Sequence, residues 1–224
     1  MGSVIVITSG KGGTGKTSLT GGVGASLALL GKQVLCLDGD VGLRNLDITL
    51  GMTDAALMDF SDVMAGRCDL SRAAVPHPTV SGLHLLTAPL TLPGDFPGEA
   101  GFQALLQQAR EAYDYVLIDS PAGLGPGFRL AVCGADRAIV VAVSDPSSLR
   151  DAQRVVTQLS QLETIHLVVN RVRPRLLRRQ NTTIDDAMDT AGLPLLGLVP
   201  EDPKVVLAAT EGRPLAQLGA RRGA

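Results

Sequence analysis

The chain has 224 residues, of which 45% are hydrophobic, 19% charged and 3% aromatic, with a formal net charge of −2. A length of this order suits one domain, or two small ones, with a core large enough to need no staple. The charge balance excludes a generally basic nucleic-acid coat, and no apolar stretch approaches the roughly 20 residues of a membrane span. Residues 4–8 read as the first strand, after which Leu19, Val23, Leu27 and Leu30 repeat at helical spacing until Gly31 stops them. Further strands are expected over 33–38, 83–88, 115–119, 138–143, 165–170 and 195–199. Most are continuous apolar runs, the pattern of a parallel sheet covered on both faces. Helical patterns cover about 55–64, 102–112, 147–162, 184–190 and 204–210, and residues 87–98, with three prolines and two glycines, read as a surface loop. The alternation predicts an α/β, doubly wound, mostly parallel sheet with helices on both faces, in a single domain over 1–224.

Cys36, Cys68 and Cys133 are an odd number and form no C-x-x-C pair, which argues against a disulfide scaffold or zinc ribbon and fits a reducing cytosol. The N-terminus lacks the pattern of a signal peptide. His77, His84 and His166 are scattered without ligand spacing, and plain structural use is expected of them.

After the first strand comes Gly10-Lys11-Gly12-Gly13-Thr14-Gly15-Lys16-Thr17, which satisfies G-x-x-x-x-G-K-[ST] and is followed by Ser18. Glycines let backbone N–H groups turn inward around phosphate oxygens, and the following helix points its positive end at them. All these positions except Lys11 are candidate nucleotide-binding residues: Gly10, Gly12, Gly13, Thr14, Gly15, Lys16, Thr17 and Ser18. Lys16 would reach the β- and γ-phosphates, and the Thr17 hydroxyl would ligate Mg²⁺. The strand 115–119 ends in Asp119, placed as a Walker B carboxylate that reaches Mg²⁺ through a water. Asp38-Gly39-Asp40 ends the second strand at the sheet edge where a doubly wound fold puts its ligand. Base recognition would fall to Asn170-Arg171 and to Pro200-Glu201-Asp202 after the last strand, since an amide both donates and accepts. Asn170-Arg171-Val172-Arg173 does not match the N/T-K-x-D of a guanine site, which favours ATP.

Lys11 is more than a P-loop requires. The string from Lys11 to Thr17 resembles the deviant Walker A loop of the MinD/ParA family of ATPases. Asp38-Gly39-Asp40-Val41-Gly42-Leu43-Arg44-Asn45-Leu46-Asp47 is similar to that family's switch I, and Asp119-Ser120-Pro121-Ala122-Gly123 to its switch II. The resemblance covers about residues 3–215 and implies an ATP-dependent homodimer that hydrolyses Mg-ATP slowly unless a partner stimulates it. It gives Lys11 a reach across the dimer to the partner subunit's phosphates, where its charge would act as an arginine finger does. It implies that Asp40 orients the attacking water, that Asn45 helps to order it, and that Asp38 supports Mg²⁺. Lys11, Lys16, Asp40 and Asn45 are thus the catalytic candidates, and Thr17, Asp38, Asp40 and Asp119 the metal candidates. Asp145 would contact the partner subunit's nucleotide, although Asp145-Pro146-Ser147 also suffices as a helix start with Ser147 as cap. Leu124-Gly125-Pro126-Gly127-Phe128 departs from the family pattern in its Gly and Pro content.

By the same resemblance the function is a switch that regulates placement of the division septum, with regulators of the MinC/MinE type as partners. The alternative is a ParA-like or flagellar-placement ATPase that positions DNA or another cargo. Arg171, Arg173, Arg175, Arg178 and Arg179 invite a nucleic-acid reading, but no aromatics interleave with them to stack bases, and a solvated surface is favoured. The septum-placing members end in a further helix and a basic amphipathic segment. Here the last ten residues offer two leucines and two arginines, too little apolar surface for stable attachment to a bilayer. The expected location is the cytoplasm, with peripheral attachment to the inner face of the cell membrane only where such a tail is present.

Overall fold

A computed structural model describes residues 1–53, 55–173 and 183–218. Eight strands form one sheet: β1 (Ser3–Thr8), β2 (Val34–Asp38), β3 (Val75–Pro76), β4 (Leu83–Leu86), β5 (Tyr115–Asp119), β6 (Arg137–Val143), β7 (Thr164–Val172) and β8 (Leu195–Pro200). Their order is β3-β4-β2-β5-β1-β6-β7-β8, parallel throughout except that β3 runs antiparallel to β4. The expected strands are all present within a residue or two. The addition is β3, a two-residue edge piece too short and too proline-rich to leave a periodic signal.

The order sets the site. The chain passes from β1 to β2 on one side and later returns to β6 on the other, so β1 lies at the topological switch point where such sheets bind ligands. Register then aligns Asp38 with Asp119 across β2 and β5, and Ile7 with Asp119 across β1 and β5. Two carboxylates and the loop leaving β1 therefore meet at one edge because three strands end level.

Helices cover both faces. On one lie α1 (Lys16–Leu29) and the short α2 (Leu46–Leu50), and their core includes Ala25, Ala28, Leu46, Leu50 and Leu83. On the other, α3 (Phe60–Met64), α4 (Leu70–Ala73), α5 (Gly98–Ala112), α6 (Pro126–Val132), α7 (Pro146–Val156) and α8 (Ile184–Ala191) enclose a core around Phe60, Phe102, Leu106, Leu149 and Val155. The chain continues through α9 (Lys204–Thr210) and α10 (Leu215–Leu218). No helix among the described residues is long and apolar enough to cross a membrane.

Several helix limits differ from expectation for local reasons. The helix expected over 55–64 begins only at Phe60, because Asp59 and Asp62 build a capping box there. The one expected over 147–162 starts at Pro146 and ends at Val156, and its cap is Asp145, not Ser147. In α1 the buried residues include Thr20, Gly21, Gly24, Ala25 and Ala28. Leu19, Val23 and Leu27 of the period are partly buried against the same core, and Leu30 alone of the four is exposed, at 77%. The helix lies so close to the sheet that a Cβ on Gly24 would stand 2.3 Å from the Cys36 sulfur, so small residues form the contact. Arg110 of α5 fixes the opposite layer, donating two bonds of 2.7 Å to Asp136, which also accepts the Val4 N–H at 2.8 Å.

Candidate nucleotide site

The loop between β1 and α1 turns at Gly13 (φ 77°) and Gly15 (φ 91°), conformations that L side chains rarely adopt. Ser9 donates to the Lys11 carbonyl at 2.8 Å, and Gly15 begins α1 with no side chain capping it. The N–H groups of a 14-residue helix are thus left facing the loop, where an anion would complete them. Gly10 lets α7 approach, since a Cβ there would meet the Asp151 carbonyl at 2.4 Å.

Lys16 is the centre of the site and only 8% exposed. Burial pulls its ammonium below the usual lysine range, while Asp119 and Asp40 oppose that pull. Asp119 is 2% exposed, and burial pushes its carboxyl up to about 7. The nearby Asp38 charge adds to the rise, and hydrogen bonds from Thr17 and Thr20 together with Lys16 restrain it. Burial likewise lifts Asp38 to about 6 against hydrogen bonds from the Asp40 and Leu46 N–H groups. Asp40 is raised by burial and lowered by Lys16. One half-compensated ammonium thus faces several partly desolvated carboxylates, a balance that a polyphosphate with a divalent cation would complete.

Among the described residues, no three His, Cys, Asp or Glu side chains converge closely enough to hold a metal by themselves. The metal candidates Thr17, Asp38, Asp40 and Asp119 therefore do not form a closed cage. They fit Mg²⁺ bound mainly by phosphate oxygens and water, with few direct protein ligands. The buried Thr14 hydroxyl has no partner among the described residues, a polar atom left unsatisfied in the phosphate loop.

The other candidates occupy the rim. The Lys11 ammonium sits 3.1 Å from an Asp145 carboxylate oxygen and 3.0 Å from the Ser147 hydroxyl of its own chain. Asp145 also accepts the Ser148 N–H at 3.0 Å as cap of α7. Burial pushes Asp145 up, but Ser147, Ser148 and Lys11 outweigh it and hold this carboxyl below the usual range. Asn45 is exposed just before α2, and its neighbour Arg44 has φ 45° with a buried Nε that has no partner among the described residues.

Asn170 has a second role. Its amide donates to the Thr14 carbonyl at 2.8 Å and accepts the Arg171 N–H at 2.8 Å, so it fastens the phosphate loop while one N–H and one lone pair stay uncommitted by these bonds. Arg173 makes a forked pair with Glu201 across β7 and β8, and Asp202 accepts the Lys204 N–H at 2.9 Å. Pro200 ends β8 beside them, and Arg171 stands at φ 52°. Arg175, Arg178 and Arg179 lie outside the described residues. Two contributors went unnoticed in the sequence. Thr20, 3.3 Å from Asp119, sits one turn after Lys16 on the same face, a spacing that could have shown it. Ser147 holds Lys11 through a contact 136 residues distant, which no local pattern encodes.

Residues 5–215 match the family model described as CobQ/CobB/MinD/ParA nucleotide binding domain. The septum site-determining protein MinD of Synechocystis sp. is 40% identical over 218 residues, covering 96% of this chain and 82% of the relative. The chain belongs to that family. Its likeness to solved MinD structures is equally broad. The MinC:MinD cell division protein complex of Aquifex aeolicus gives 38% identity and a TM-score of 0.88, over 95% of this chain and 87% of that one. MinD of Pyrococcus horikoshii complexed with Mg-ADP gives 30% identity and a TM-score of 0.84, over 98% of this chain and 89% of that one.

Proposed function

We propose that this chain is a MinD-type ATPase that binds Mg-ATP, dimerises around it, and is reset by hydrolysis. The observation that carries the reading is Lys16, buried between Asp119 and Asp40 at the end of a glycine loop whose helix start is uncapped. Gly10, Gly12, Gly13, Thr14, Gly15, Lys16, Thr17 and Ser18 wrap the phosphates, and Asn170 braces that loop through Thr14. Arg171, Pro200, Glu201 and Asp202 border the base. Mg²⁺, when bound, neutralises charge on the β- and γ-phosphate oxygens. Thr17 would hold it directly, with Asp38 and Asp119 acting from behind through water. Asp40 orients the attacking water and Asn45 helps to order it.

Lys11 stands ready on the rim, paired with Asp145 and Ser147 of its own chain. In the dimer it would exchange these partners for the phosphates of the other subunit, supplying charge as the γ-phosphoryl group leaves. Dimerisation then completes the site and makes the ATP-bound form distinct. The output is regulation of septum placement, with a MinC-like regulator as partner, in keeping with the Aquifex aeolicus complex. Membrane contact would be peripheral, through an amphipathic segment. The family resemblance on which the reading leans is to MinD relatives at about 40% identity, so positioning of DNA or another cargo has less support. Phosphate release from Mg-ATP tests the activity: slow turnover is expected, and none from Lys16→Ala. Turnover that survives this substitution would refute the site.

A further inference from the structure

Switch I is a loop tied at both ends to one carboxylate. Asp38 accepts the Asp40 N–H at 2.9 Å with one oxygen and the Leu46 N–H at 3.1 Å with the other. Leu46 opens α2, a helix of five residues, too short to hold its own position without outside anchors. The loop before it contains Arg44 at φ 45°, a conformation that does not persist unless its surroundings impose it.

Those surroundings lie behind α2. The Leu50 carbonyl accepts the Nε2–H of His77 at 2.9 Å. The other nitrogen of His77 accepts the Thr79 and Val80 N–H groups at 3.1 Å each, which places the proton on Nε2. Next to Leu50, Gly51 closes the helix at φ 67°, and a Cβ there would meet the Gly212 carbonyl at 1.8 Å. Gln217 of α10 donates to the Thr79 hydroxyl at 2.8 Å and joins the two anchors. The far end of α2 is therefore held by a buried histidine and by the turn between α9 and α10.

We propose that His77 is a positioning residue for switch I: through Leu50 and α2 it sets where Asp38, Asp40 and Asn45 stand relative to Lys16, with Gly212 as a second stop. The inference rests on the reading of that segment as the part that supports Mg²⁺ and orders the attacking water. His77 touches no substrate; its ring bonds the Leu50 carbonyl and the Thr79 and Val80 N–H groups, with the Thr79 hydroxyl 3.5 Å from Nδ1. Its effect is transmitted by a helix whose two ends are bonded to different functional parts.

Two variants of the 224-residue chain test this. His77→Leu keeps bulk and removes both nitrogens, and His77→Gln restores a donor and an acceptor. Amide exchange on nucleotide-free protein reads α2 independently of hydrolysis. Peptides spanning 46–51 should exchange about tenfold faster in His77→Leu and recover most of the protection in His77→Gln. Steady-state turnover should show kcat reduced about tenfold while KM for ATP stays within about twofold, since the phosphate loop is untouched. Gly212→Ala, at an exposed position with φ 61°, should move exchange and kcat in the same direction with His77 intact. Unchanged exchange at 46–51 overturns the proposal, as does equal acceleration along the whole chain with kcat and KM shifting together. Absence of hydrolysis in the parent chain would instead defeat the functional reading, while the exchange result still decides the linkage.

Discussion

Replacing Asp119 with asparagine should stabilise the nucleotide-free protein while abolishing hydrolysis. Burial lifts this carboxyl from the ordinary 3.8 to about 7, so its ionised form is about 4 kcal/mol less favourable in the folded protein than in the unfolded chain. Asparagine removes that charge but weakens the hydrogen bonds from Thr17 and Thr20, at about 1 kcal/mol each. The expected gain is about 2 kcal/mol at pH 8. A raised carboxyl means that the folded state holds its proton more tightly than the unfolded chain. Its destabilising effect therefore grows as pH rises from about 4 to about 7 and is constant above that. Urea unfolding of both proteins at pH 5 and pH 8 measures this. The variant should lead at pH 8 and lose its advantage at pH 5, where Asp119 is protonated in the folded protein. A variant less stable than the parent at pH 8, or equally advantaged at both pH values, would refute this account of the buried carboxylate.

Gly15→Ala should weaken nucleotide binding by about 2–3 kcal/mol, combining the cost of φ 91° with displacement of the Asn170 amide, 2.3 Å from the new Cβ, away from Thr14. Titration with a fluorescent ATP analogue reads the loss. Arg110→Ala should cost about 2 kcal/mol, between the values for exposed and buried pairs, because Arg110 and Asp136 are 18% and 24% exposed. Asp136 is pushed up by burial but held lower overall by Arg110 and the Val4 N–H. Its stabilising contribution is therefore present near neutrality and fades as pH falls below the usual carboxylate range, as urea midpoints would show. Lys11→Ala should change stability by no more than about 0.5 kcal/mol, since its pair with Asp145 is 34% and 45% exposed. Phosphate release should nevertheless fall at least about tenfold if Lys11 acts on the partner subunit's phosphates.

The sheet was legible because most of its seven longer strands are apolar runs that need no partner information to recognise. The phosphate loop was legible for a different reason: its glycines, lysine and threonine lie within eight consecutive residues, so spacing alone conveys the geometry. What escaped notice depends on distant parts of the chain. The bracing of Thr14 by Asn170 spans 156 residues, and the hold of Ser147 on Lys11 spans 136. The leucine period of α1 marked the helix and the flank of its buried face, but the closest contact with the sheet falls on Gly and Ala, which a period of large apolar side chains does not show. His77 has no ligand spacing to the other histidines in the sequence, and only the fold brings Leu50 to its ring.

The central claim is that ATP joins two copies of this chain through the site around Lys16. Size-exclusion chromatography with light scattering, on an Asp40→Ala chain so that bound ATP is consumed slowly, tests it most directly. The mass should double when Mg-ATP is added, and should not change with Mg-ADP or in the Lys16→Ala, Asp40→Ala double variant. A chain that binds ATP and remains a monomer would contradict the claim.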